Sequence, residues 1–334
     1  LSPEVCRRVV LDLLVALGAC SDHGTDKPVG VNTQALGPTT AAPAFLVKDI
    51  EAATGPNPGS VPAGFVQSGA FAYFAATRTS TGAELWRTDG TAAGTFLVKD
   101  INPGSASSSP SGLTDLNGVL YFSASDGSSG AELWRTNGTA AGTTRVSDIN
   151  PGSPASSPTG LTNLAGTLIF AADDGAQGTE LWRSDGTTAG TSLLKDIKLG
   201  AAGSGPTTRV ALNGSLIFSA YEPATGYELW STDGTSAGTA LLKEINPGIA
   251  GGDPYFLTRA GARVFFNGRN AALGQELWMS DGTATGTVLV KDLIAGTGSS
   301  DPMNLVDVSG TLVFWANTAG IGTELWKSDG TASG

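Results

Sequence analysis

The sequence holds one histidine, His23, and two cysteines, Cys6 and Cys20, all in its N-terminal segment. Without histidine elsewhere, Ser-His-Asp catalysis and most zinc sites are excluded, because imidazole is the usual base and the usual ligand. Without cysteine elsewhere, no disulfide framework holds the rest of the chain together. Charge is scarce too: charged residues make up 15% of the 334, with 19 Lys and Arg against 30 Asp and Glu, a net charge of -11. Phosphate binding needs clustered cations, so a nucleic-acid partner is excluded, and solubility with repulsion from anionic surfaces follows.

What the sequence does have is a period. The phrase Glu132-Leu133-Trp134-Arg135-Thr136-Asn137-Gly138-Thr139 returns at Glu84, Glu180, Glu228, Glu276 and Glu324, always 48 residues apart. Six copies at one interval mark a repeat architecture. With 47 glycines and 40% hydrophobic residues, the composition is that of a globular body of short strands and many turns.

One repeat reads as four strands. Gly112 to Leu116 meets Asn117-Gly118, a strong hairpin signal, and Val119 to Ala124 follows. Glu132 to Arg135 is the third strand, Thr136 to Gly142 a turn, and Thr143 to Ile149 the fourth strand. The Pro- and Ser-rich run from Asn150 to Pro158 is then the crossover to the next copy. The sequence therefore predicts an all-β propeller of six four-stranded antiparallel blades over residues 45–334. A lone fourth strand, Phe45 to Ile50, precedes the first copy, and pairing it with the last blade would close the ring. The rival expectation is a truncated sequence with further copies.

Before this body, Arg7-Arg8 and the apolar run from Val9 to Leu17 read as an export signal over residues 1–20. It ends in Leu17-Gly18-Ala19-Cys20, which resembles a bacterial lipobox with Cys20 as the lipidated residue; an ordinary secretory signal is the alternative. Residues 21–44, rich in Gly, Thr, Pro and Ala, form a polar tether. The expected location is the outer membrane or cell surface through a lipid anchor, or else the secreted fraction, as a monomer.

The phrase E-L-W-x-x-D-G-T followed by x-x-G-T resembles the bacterial ELWxxDGT-repeat proteins, with Asn137 for Asp in one copy. The resemblance covers Phe45 to Gly334 and implies a propeller-like surface body, without implying an activity.

Trp86, Trp134, Trp182, Trp230, Trp278 and Trp326, with Phe74, Phe122, Phe170, Phe218, Phe266 and Phe314, are expected to fill the layers between blades. The recurring Asp of each phrase is expected to bind its own turn, and the recurring Glu to serve structure, because catalysis places different residues in different copies. No copy stands out in this way. Asp126, Asp174, Glu222 and Asn270 lie on the loop face and are candidate ligand residues. Asp-Gly loops there could take Ca²⁺, although their spacing matches no defined calcium loop, and no other cofactor or metal is expected. The functional expectation is a non-catalytic surface scaffold, not an enzyme, that binds a protein or a carbohydrate. The alternatives are a propeller hydrolase or lyase using carboxylates, or a purely structural surface protein.

Overall fold

A computed structural model describes residues 44–52 and 59–331. Residues 1–20, with Cys20, and nearly all of the tether lie outside the described residues. The chain divides into two units, one ending at Phe45 and the other running from Leu46 to Gly334. The larger unit is all β: 23 strands form five four-stranded sheets and one three-stranded sheet, each a meander of antiparallel neighbours in chain order.

The first sheet sets the pattern with Ala63–Ser68, Phe71–Arg78, Gly82–Thr88 and Phe96–Lys99. Its hairpins follow turn chemistry. At the equivalent first hairpin of the second sheet, Asn117 and Gly118 both adopt positive φ, 54° and 82°, as a two-residue turn between twisted strands requires. In the turn of each phrase the Asp or Asn accepts its own backbone: Asp185 Oδ1 takes Thr187 N at 2.8 Å, and Asn137 Oδ1 takes Thr139 N at 3.1 Å. The closing glycine of the phrase makes room for that carboxylate, since a Cβ on Gly190 would lie 2.0 Å from Asp185 Oδ1.

Across each sheet, Phe and Trp are direct partners: Phe122 faces Trp134 and Phe170 faces Trp182. Both faces of the third sheet are covered by its neighbours. Phe170 and Trp182 pack with Leu116, Tyr121, Leu133, Val146 and Ile149 of the preceding copy. Apolar side chains are thereby removed from water on both sides, which is where the fold gains its stability.

Residues 44–50 carry no strand, and sheet six has three strands, Met303–Val308, Thr311–Thr318 and Gly322–Ser328. The expected strand from Phe45 to Ile50 is thus not formed, and no ladder closes sheet six among the described residues. The segment instead lies against sheet one: Lys48 Nζ donates to Thr95 O at 2.6 Å, and Ile50 packs with Phe74, Ala76 and Trp86.

Candidate functional site

Five of the six recurring Glu, all but Glu324, hold the crossover that follows their own sheet. Glu132 accepts from Ile149 N at 2.9 Å, Ser156 N at 2.9 Å and Ser156 Oγ at 2.6 Å, and it is wholly buried. Glu84 and Glu276 repeat the arrangement with Ser108 and Ser300, and Glu180 does so with Ser204. Burial raises all four carboxyls above the ordinary carboxylate range, and the serine hydroxyls pull them back. Glycine precedes the strand because the held crossover comes so close: a Cβ on Gly130 would lie 2.6 Å from Ala155 Cα.

The fourth copy departs from this. Gly252 stands in the serine column, so Glu228 keeps Ile245 N at 2.7 Å and Asn246 N at 3.0 Å but has no hydroxyl. Burial, with nearby Glu244 adding to it, pushes Glu228 up to about 7. The backbone is also drawn in, since a Cβ on Gly252 would lie 2.4 Å from Ile245 Cβ.

The residues around that crossover differ from their counterparts as well. The equivalent pair near the end of each central hairpin reads Thr77 and Ala83, Ser125 and Ala131, Asp173 and Thr179, Tyr221 and Tyr227, Arg269 and Gln275, then Asn317 and Thr323. Tyr221 and Tyr227 meet edge to face at 5.3 Å, with Lys198 Nζ 4.8 Å from the Tyr221 ring centroid. Asp253 N donates to Tyr227 O at 3.0 Å and Arg269 N to Gly252 O at 2.7 Å, so the crossover is sewn to sheet four on one side and sheet five on the other. Asp253, Arg269, Asn270, Gln275, Thr297 and Ser299 line a polar cleft of about 440 Å³. Burial raises the Asp253 carboxyl, against the pull of the Arg269 guanidinium. A carboxyl that can hold or release its proton, next to a fixed positive charge and amide donors, can do acid–base work on a polar substrate.

Of the sequence candidates, Asn270 lines this cleft; its Nδ2 donates to Ile245 O at 2.8 Å. The others are occupied by their own loops. Asp126 Oδ1 accepts from the backbone and hydroxyl groups of Ser128 and Ser129, which holds its carboxyl well below the usual range. Asp174 Oδ1 accepts from Ala176 N and Gln177 N, and Glu222 Oε2 from Thr225 Oγ1. Among the described residues, no group of three His, Cys, Asp or Glu is placed to hold a metal ion. Sequence reasoning missed Gly252, Asp253 and Arg269; Gly252 is visible as a departure from a recurring serine, while Asp253, shared with Asp301, and Arg269 lie in columns that vary from copy to copy.

No family model and no curated protein matches the chain. Solved structures do. One, from a structural and mechanistic analysis of two prolyl endopeptidases, shares 14% identity at a TM-score of 0.51 and covers 82% of this chain and 40% of its own. A puromycin hydrolase shares 15% identity at a TM-score of 0.48, with 82% and 45% covered. A Mycobacterium tuberculosis puromycin-hydrolyzing peptidase shares 13% at 0.41, with 76% and 42% covered. The chain thus spans less than half the length of these structures. The likeness shows the fold, a β-propeller, and carries no activity across. The expectations of a non-catalytic scaffold and of no enzyme are corrected: a prolyl endopeptidase chain carries this fold, so the fold is no argument against catalysis, and the symmetry that argued against it is broken where Gly252 takes the place of the recurring serine.

Proposed function

We propose that this chain is the propeller of a hydrolase or lyase that works through carboxylates, with Asp253 as the acid–base group. The observation that carries the reading is the cleft at the crossover between sheets four and five, where Gly252 replaces the recurring serine and Asp253 stands beside Arg269. In hydrolysis, protonated Asp253 delivers its proton to the leaving atom as the scissile bond breaks, and Arg269 balances negative charge that develops on the substrate. Water supplies the hydroxyl to the other fragment, and the carboxylate regains a proton from solvent. The test is turnover by the full chain of chromogenic ester, peptide and glycoside substrates. Asp253→Asn should lose about 100-fold or more while melting as the parent does; absence of turnover in every class, or an unimpaired variant, overturns the reading.

The same proposal includes a closed six-bladed ring and membership among ELWxxDGT-repeat proteins. Closure is supported by Lys48 and Ile50, which give sheet one what Lys99 and Ile101 give sheet two. It is supported again by Glu324 and Leu325: both are exposed, Leu325 by 63%, whereas their counterparts in the other copies are buried. Export with lipidation at Cys20 belongs to this reading, and intact-mass analysis of membrane-extracted protein before and after Cys20→Ser checks it.

A further inference from the structure

Near the start of each first strand one residue takes the left-handed conformation. In the first three copies it is glycine, Gly64, Gly112 and Gly160, with φ of 70°, 63° and 60°. In the last three it is Thr208, Phe256 and Asn304, with φ of 42°, 58° and 53°. Phe256 is the bulkiest of the six, and a bulky side chain is strained there. Phe256 is also 52% exposed, so the ring is not held there by the core. Its neighbour Tyr255 is 44% exposed and stands where other copies carry Ala63, Ser111, Thr159, Thr207 and Met303. Burial raises the Tyr255 phenol, and Asp253 and Tyr227 lie close enough to raise it further.

We propose that Tyr255 and Phe256 form a subsite for a pyranose ring of a neutral saccharide beside the cleft of Asp253, Arg269, Asn270 and Gln275. The chemistry of these side chains selects that ligand. A pyranose offers one flat C–H face, which stacks on exposed aromatic rings, and a belt of hydroxyls, which pair with planar carboxylate, amide and guanidinium groups. The net charge of -11 disfavours an anionic polymer. The proposal rests on reading Asp253 as the acid–base group, because it names that site's substrate class.

The test titrates the full chain with neutral cello-, xylo- and malto-oligosaccharides and follows binding by saturation-transfer NMR, separately from turnover. At least one series should bind. Phe256→Gly, which restores the residue found in three copies, should keep the parent melting temperature and weaken saccharide binding about tenfold, and Tyr255→Ala should weaken it similarly. No saccharide bound by the parent, or unchanged binding by both variants, overturns the subsite. Binding without turnover supports the subsite and removes the hydrolase reading. Turnover of a peptide or ester without saccharide binding does the reverse.

Discussion

Trp182 faces Phe170 across its sheet and is 9% exposed, and its Nε1 has no hydrogen-bond partner among the described residues. Its contribution is packing, so Trp182→Ala should cost about 3–5 kcal/mol in urea unfolding, whereas Trp182→Phe, which loses no bond, should cost about half that or less. Glu132 works differently. Glu132→Ala would strand two buried N–H groups and a buried hydroxyl, a loss of about 3 kcal/mol by the same measurement. Glu228 sets a pH dependence. Its folded pKa of about 7 lies above its reference of 4.5, so the folded chain holds a proton that the unfolded chain has released. The stabilisation is complete below about pH 4.5 and is lost as pH rises through about 7. Melting temperature measured across this window should therefore fall with pH, and Glu228→Gln should flatten that part of the curve. The Phe and Trp columns and the turn-binding Asp were legible in the sequence because packing and turn chemistry demand the same residue in each copy. Asp253 and Arg269 were not, because they lie in columns that vary from copy to copy and only the fold brings them to one cleft.

At the scale of the element, the crossovers decide how neighbouring sheets are joined. The first begins after a fourth strand beyond which Ile101 enters the next sheet's core and whose Lys99 reaches the next turn, with Phe122 and Thr143 as their partners; Ser147 replaces the Lys in the second copy and Leu293 the Ile in the fifth. The segment from Lys48 to Ile50 makes these contacts without forming a strand of its own. Ile50→Asp should accordingly destabilise sheet one by about 2–4 kcal/mol, and amide exchange should quicken first in Phe71–Arg78. Four strands per copy and the placing of the crossover were readable from turn residues and from hydrophobic runs. The state of the lone leading strand was not, since a strand is defined by its partner, and local sequence carries no record of which edge is filled.

At the scale of the whole molecule, closure makes a geometric claim. In sheet one Leu85 pairs with Lys99, so the matching pair across a closed ring is Leu325 with Lys48. Lys48→Cys with Leu325→Cys should form an intramolecular disulfide under mild oxidation and raise the melting temperature, whereas dimers on a non-reducing gel, or free thiols, would count against a ring.

The near-identity of the junctions has a further consequence. Glu132 reaches Ser156 24 residues on, Lys99 reaches Thr143 44 residues on, and Lys195 reaches Thr239 at the same spacing. Such offsets survive the excision or duplication of 48 residues, so recombination between two matching copies leaves the same contacts at the new seam, except where Ser147 replaces the lysine or Gly252 the serine. The odd residues at one seam would then travel as a cassette.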